Sequence, residues 1–202
     1  MARYTGAKLR ITRRLGDLPG LTSKKSKSSQ RPGQHGALQK KLTQYGIRLQ
    51  EKQKLRFNYG LSEKQLINYV KKAKKIKGVS GTILLQLLEM RLDNVVFRLG
   101  MAPTIAAARQ IVGHKHITVN NSCISIASYQ CQPGDVIEVK DIPASKQLIM
   151  RNLELPALSN LPQNLDFDKK SLTAKVLGII DREWIALKLS ELFVIEFYSR
   201  KI

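Results

Sequence analysis

Cysteine is scarce in this 202-residue sequence, which contains only Cys123 and Cys131. Two cysteines with no Cys-x-x-Cys pair cannot form the framework of a disulfide-stapled secreted domain, so we predict no disulfide and a reducing compartment. The chain is long enough to build one large or two small hydrophobic cores instead.

Long apolar runs are also absent. The longest stretches, GTILLQLLEM and ELFVIEF, are much shorter than the roughly 20 apolar residues that a bilayer-spanning helix needs. The first residues lack the apolar core of a secretory signal. We therefore expect no membrane-spanning segment. The basic, acid-poor start is also typical of an organellar transit peptide, which stays open as an alternative at this point.

Acidic residues are few, and they are fewest in the first half of the chain. The chain has 15 Asp and Glu against 35 Lys and Arg, a formal net charge of +20. Residues 1–90 hold 21 of the basic side chains and 4 of the acidic ones. Such a segment repels itself, so it is expected to become ordered beside a polyanion, most commonly nucleic acid. An anionic membrane surface is the alternative partner.

The usual signatures of catalysis and metal binding are missing. There is no phosphate-cradling Gly-rich loop and no dinucleotide fingerprint, and few acidic residues surround His114 to assist a nucleophile. Together with His116, Cys123 and Cys131, His114 could supply zinc-type donor atoms, but their spacing lacks the paired ligands of zinc knuckles. We predict neither an enzyme nor a metal site, and no cofactor.

The first half reads as an arm followed by helices. Residues 1–45 include SKKSKSSQRPGQHG, which has the composition of a loop, and are interpreted as a basic arm with little core of its own. Ser62 and Gln65 stand at capping-box spacing and open a helix that Gly78 ends. Its lysines lie off the predicted core stripe of Leu66, Tyr69, Val70 and Ala73.

From residue 91 to about 141 the periodicity changes from helix to strand. TILLQLLEMRLDNVVFRLG is interpreted as one helix, and APTIAAARQIVGHK as a second helix that starts at Pro103 and Thr104 and packs against the first. HITVNNSCISI alternates around Asn120 and Asn121, which predicts a β-hairpin, and QPGDVIEV adds a strand. The predicted fold class is α+β.

The end of the second predicted helix gathers positive charge. Arg109, His114 and Lys115 lie near its terminus, and Arg91 and Arg98 are placed along the preceding helix. We interpret these side chains as an electropositive ledge, which suits A-form RNA because that helix is read through its backbone and 2′-hydroxyls. The alternative for each arginine is an ion pair with a nearby carboxylate.

Longer stretches of the sequence resemble a known family. RLDNVVFRLGMAPTIAAARQIVGHKHITVNN followed by PGDVIEV resembles the RNA-binding module named after small ribosomal subunit protein number four, which some pseudouridine synthases and tyrosyl-tRNA synthetases also carry. MARYTGAKLRITRRLGDLPGL, RLQEKQKLRFNYGLSEKQLINYVKKA and VIEFYSR extend the resemblance to the ribosomal S-four family over nearly the whole chain.

This resemblance implies a helical domain, residues 46–90 completed by 171–202, with an inserted RNA-binding module at 91–155 and a linker at 156–170. It implies a structural, primary small-subunit rRNA binder that nucleates assembly, contacts small-subunit protein five and other small-subunit proteins, lies near the point where mRNA enters, and affects accuracy. The side chains we expect to bind rRNA are Arg3, Arg10, Arg13, Arg14, Lys71, Lys72, Lys74, Arg91, Arg98, Arg109, His114, Lys115 and His116.

Two departures refine the resemblance. Many bacterial relatives carry a zinc-binding cysteine cluster in the arm, and residues 1–45 contain no cysteine. GDLPGLTSKK stands in its place and looks like the plastid version. The basic N-terminus is then a mature arm and not a cleaved transit peptide, and the expected location is the chloroplast stroma, with a bacterial cytoplasm as the alternative.

The rival function is an RNA-modifying or assembly factor carrying the same module. Arg91, Leu92 and Asp93 spell the RLD that also surrounds the catalytic aspartate of pseudouridine synthases. Those enzymes continue with Thr-Ser-Gly-like residues and need a large catalytic domain, whereas NVVFRLG follows here. We interpret Asp93 as a helix-start carboxylate paired with an arginine or with backbone amides.

Overall fold

The chain folds into two compact units, one inserted into the other. A computed structural model describes residues 4–28, 30–36, 41–155 and 161–199. The first unit comprises the chain up to Leu85 and again from Leu187, and the second runs from Gln86 to Ala186. No helix among the described residues is long and apolar enough to cross a membrane.

The first unit is built from helices. They are α1 (Lys8–Leu15), α2 (Gln44–Asn58), α3 (Glu63–Lys75), the start of α4 (Ser80–Glu89), and α8 (Glu191–Ser199). The apolar run ELFVIEF near the end of the sequence lies in helix α8. Its buried side chains are Val194, Phe197 and Tyr198.

Helix α3 forms as its sequence predicts. The Ser62 hydroxyl accepts a hydrogen bond from the Gln65 backbone amide, and the Gln65 side chain accepts one from the Ser62 backbone amide. These two bonds confirm the capping box. Gly78, with φ at +129°, follows the end of the helix, a conformation that glycine adopts at little cost. The predicted core stripe is buried at all of its positions, Leu66, Tyr69, Val70 and Ala73.

The arm has more core than its charge suggested. Helix α1 buries Ile11 and Leu15, and the turn after it buries Leu18 and Leu21. The Gly20 amide also donates to the Asn58 side chain at 3.0 Å. Ile11 and Leu15 are four positions apart and so share one face of α1, and the prediction of an arm with little core was wrong for this stretch.

The second unit combines helices with a sheet, and the first helix predicted for it is in fact two. Helix α4 ends at Glu89 and α5 (Leu92–Arg98) begins after it. Between them Arg91 is extended, with φ −74° and ψ 141°, and bridges to Gln130. The other helices of this unit are α6 (Ile105–Gly113) and α7 (Pro143–Leu153).

The sheet is antiparallel and larger than predicted. Its strands are β1 (Ile117–Val119), β2 (Ser122–Cys123), β3 (Val136–Val139), β4 (Leu165–Asp168) and β5 (Thr173–Val176), in the order β2-β1-β3-β5-β4. β4 lies in the predicted linker, and β5 lies in the segment assigned to the helical domain. Both belong to the inserted unit because β5 pairs with β3, so the first unit resumes at 187 and not at 171.

The hairpin between β1 and β2 turns at the predicted pair. Asn120 and Asn121 have φ of +49° and +64°, the left-handed values that a two-residue primed turn requires. The Asn120 side chain donates to Asp135 at 2.9 Å and accepts from the Val136 amide at 2.9 Å. The hairpin is thereby fixed against β3, and its prediction is confirmed.

Candidate nucleic-acid interface

Helix α3 divides cleanly into a buried face and a basic face. Lys71, Lys72 and Lys74 are exposed, because they lie away from the buried core stripe of the helix. The ammonium of Lys72 lies 6.0 Å from the centre of the Tyr69 ring. This face can meet a row of phosphates without disturbing the core of the first unit.

The predicted arm cations differ in how they are held. Arg10 and Arg14 are exposed on α1. Arg13 is half-buried, and its Nε donates to the Gln30 carbonyl at 2.9 Å, so it ties α1 to the following loop. Arg3 lies outside the described residues.

The end of α6 forms an exposed basic corner. His114 caps the helix, and Lys115 has φ of +62°, which reverses the chain into β1. Both side chains are exposed. His116 is half-buried, and its Nδ1 lies 2.9 Å from the hydroxyl oxygen of the buried Ser145. The hydrogen bond with Ser145 thus orients the ring of His116.

Two arginines of the predicted ledge lie in the interior. Arg98 donates to Glu89 from Nε at 3.0 Å and from Nη2 at 2.7 Å, and its side chain is 6% exposed. Arg91 donates to Asp93 at 3.0 and 2.8 Å, with its side chain 3% exposed. The ledge therefore does not include Arg91 and Arg98, because each is paired with a buried carboxylate.

Arg109 connects the interior to the surface. Its Nε donates to Asp93 at 2.7 Å, while its side chain is 28% exposed. Asp93 stands in the first turn of α5 and binds two arginines, which confirms its interpretation as a helix-start carboxylate paired with arginine. The sequence signal for the second pair was Glu89, which is nine positions before Arg98 and was not singled out.

The two cysteines among the candidate zinc donors differ in their burial. Cys131 is buried, and that burial, followed by the nearby Asp135 and Asp93 charges, raises the pKa of its thiol to about 12. Cys123 is exposed, with its sulfur 3.8 Å from the Lys115 carbonyl. No group of three or more His, Cys, Asp or Glu side chains in the described part of the chain could hold a metal ion.

Comparison with known proteins gives matches over the whole chain. A family model described as "Ribosomal protein S4/S9 N-terminal domain" matches residues 3–89, and one described as "S4 domain" matches residues 90–137. "Small ribosomal subunit protein uS4c" of Emiliania huxleyi is 77% identical over 202 residues, covering all of both chains. The chain belongs to the uS4 family of small ribosomal subunit proteins.

Other uS4 relatives are cyanobacterial. The uS4 proteins of Synechococcus elongatus and Microcystis aeruginosa are 61% and 60% identical over 202 residues, again covering all of both chains. These uS4 matches confirm the family resemblance, including its plastid type. They favour the ribosomal protein over the RNA-modifying alternative, because the matches to uS4 proteins cover the whole chain.

The two uS4 family models divide the basic side chains as the fold does. The exposed cations of α1 and α3 fall within the N-terminal match, and Arg109, His114 and Lys115 fall within the S4-domain match. The basic face of α3 and the basic corner after α6 thus lie in different family matches.

Proposed function

We propose that this chain is a structural constituent of the small ribosomal subunit that binds small-subunit rRNA through its exposed basic faces. The observation that carries this proposal is the division of α3, whose apolar stripe is buried while Lys71, Lys72 and Lys74 are exposed. A solvated lysine face is common on any helix, but here it belongs to a chain with a net charge of +20.

Recognition of the RNA is expected to depend on backbone contacts. Lysine and arginine neutralise phosphates and release counterions, so affinity falls steeply as salt rises. A-form RNA offers its phosphates and 2′-hydroxyls to side chains such as Arg109, His114 and Lys115 at the end of α6. Arg10 and Arg14 add contacts from α1, and His116 a weaker one from its half-buried position.

The finer role follows from the family resemblance. The chain acts as a primary rRNA binder that folds a multi-helix junction and nucleates assembly of the subunit body. It contacts small-subunit protein five and other small-subunit proteins, lies close to mRNA where the message enters, and thereby contributes to translational accuracy. The support is the full-length match to uS4 relatives.

The proposed location is the plastid ribosome of the chloroplast stroma. It is supported by the 77% identity to uS4c, compared with 61% to a cyanobacterial uS4. A bacterial cytoplasm is the alternative that the cyanobacterial relatives favour. Fractionation of organelles would separate the two, since a chloroplast protein sediments with plastid ribosomes.

The decisive experiment is a sucrose-gradient analysis after a high-salt wash. We expect the chain to remain with small ribosomal subunits, because its fit to a folded RNA junction persists after salt has weakened the individual phosphate contacts. Release from the subunits together with equal affinity for unrelated RNA would contradict the proposal. Liposome pelleting in the presence of excess rRNA tests the membrane alternative, and we expect the protein to leave the liposomes.

A further inference from the structure

One buried carboxylate, that of Asp93, is shared by two arginines. Arg91 donates to its Oδ1 from Nε at 3.0 Å and to its Oδ2 from Nη2 at 2.8 Å. Arg109 donates from Nε to Oδ2 at 2.7 Å. Asp93 is fully buried, whereas the exposed fraction of the side chain is 3% for Arg91 and 28% for Arg109. Of these three residues, Arg109 alone reaches the surface.

The charge of this cluster favours an anionic ligand. Two guanidinium groups against one carboxylate leave a net charge of +1, and Arg109 is the member that solvent reaches. The Asp93 carboxylate does not repel an approaching phosphate, because Arg91 already balances it in the interior. Arg109 therefore brings a partly exposed guanidinium to the surface at α6.

The bond from Asp93 also restricts Arg109 before any ligand binds. A free arginine loses rotamer freedom when it binds a phosphate, and that loss weakens binding. With Nε already held at 2.7 Å, part of the ordering has taken place in the folded protein. The planar guanidinium then keeps a defined orientation, which a flexible ammonium group does not provide.

We propose that Asp93 is a positioning residue for RNA binding. Its buried carboxylate accepts a hydrogen bond from Arg109 and thereby orients the Arg109 guanidinium toward an RNA phosphate. The inference rests on the proposed rRNA binding and adds to it a specific role for a buried acid. A purely structural Asp93 would stabilise the second unit without affecting how Arg109 binds.

A double-mutant cycle distinguishes the two roles. The variants are Asp93→Asn, Arg109→Gln and both together, and the probe is small-subunit rRNA of Synechococcus elongatus at several salt concentrations. We expect each single change to lower affinity about fivefold and to reduce the salt slope by about one unit. The double variant should bind no more weakly than either single variant, because both changes remove the same contact.

Arg109→Lys provides a test that leaves the buried pair of Asp93 and Arg91 in place. It retains the positive charge, but lysine cannot hold Asp93 through an Nε while presenting a guanidinium to the phosphate. We expect affinity to fall about fivefold here as well, with an unchanged melting temperature. Asp141→Asn is the matched control, since Asp141 forms an exposed ion pair with Lys146 at 2.6 Å and should not affect rRNA affinity.

The outcomes distinguish a failure of the positioning role of Asp93 from a failure of the proposed rRNA binding. If the wild-type chain shows no salt-dependent rRNA binding, the proposed function and the positioning role both fail. If the wild type binds and Arg109→Lys binds equally well, the positioning role is overturned and rRNA binding stands. Additive losses for Asp93→Asn and Arg109→Gln overturn it in the same way. Should Asp93→Asn not fold, the Arg109→Lys result decides.

Discussion

Helices α3 and α5 both carry basic side chains, but those of α3 are exposed and those at α5 are buried. On α3 the lysines 71, 72 and 74 are exposed, whereas Arg98 of α5 and Arg91 just before it are buried. The difference lies in the carboxylates. The described part of α3 has one acid, Glu63, at its start, while Glu89 and Asp93 lie directly beside the arginines at α5.

This comparison shows that a count of basic residues overstates the surface available to RNA. A cation with a buried carboxylate next to it contributes to the fold, and a cation without one in its neighbourhood remains in solvent. Of the side chains predicted to form the ledge, Arg109, His114 and Lys115 therefore remain accessible to RNA.

The largest expected effect comes from breaking a buried pair. Glu89→Ala removes the carboxylate that holds Arg98 at 2.7 Å, and it should lower the free energy of unfolding by about 3–5 kcal/mol, because a charge stays in the interior. Chemical denaturation measures this. Replacing both partners, Glu89→Leu with Arg98→Met, should cost less than the single change. A single change costing under about 1 kcal/mol would contradict the buried pair.

The next effect concerns binding and not stability. Changing Lys71, Lys72 and Lys74 to Gln should lower rRNA affinity and make the slope of log affinity against log salt shallower by about two to three units. The free energy of unfolding should move by less than about 0.5 kcal/mol. Lys140, Lys169 and Lys170, also exposed, give a matched triple control. Equal slopes for both triples would mean that α3 does not face the RNA.

A smaller loss of stability is expected at a polar contact of the first unit. The Tyr198 hydroxyl donates to Glu63 at 2.6 Å, and burial, followed by this bond, raises the pKa of the phenol. Tyr198→Phe should lower the free energy of unfolding by about 1–2 kcal/mol. Tyr45→Phe, at an exposed ring, should change nothing measurable. Equal effects at both sites would refute the assignment.

The smallest effect is a dependence on pH. Burial raises the pKa of Glu63, but hydrogen bonds from Tyr198 and Lys52 together with the Lys52 charge outweigh it, so the pKa lies below its ordinary value of 4.5. The stabilisation is therefore complete above pH 4.5 and is lost as the pH falls further. Glu63→Gln should flatten the acid limb of a plot of melting temperature against pH. An unaltered acid limb would count against this contribution.

Local signals predicted the elements that depend on neighbours in sequence. The capping box of Ser62 and Gln65, the core stripe of α3 and the turn at Asn120 and Asn121 were all readable, because each is set within a few residues. The second predicted helix, α6, is likewise set by local spacing, and its buried side consists of Ile105, Ala108, Ile111 and Val112.

Features that depend on distant partners were missed. β4 and β5 are four residues each and become strands by pairing with each other, while β5 also pairs with β3, which lies 37 residues earlier in the sequence. The break at Arg91 is set by its bridge to Gln130. Arg91 and Arg98 are seven residues apart and resembled a polar helix face, since a linear sequence does not show which carboxylate lies opposite.

The insertion has a consequence for the timing of synthesis. Arg48 of α2 and Glu196 of α8 form an ion pair at 2.6 Å, yet they are 148 positions apart. At about 5–20 residues per second, a translating ribosome adds Glu196 roughly 7–30 s after Arg48. The inserted unit can fold in that interval, whereas the side of α2 that α8 covers waits uncovered. A nascent chain is thus finished in its middle before it is finished at its beginning.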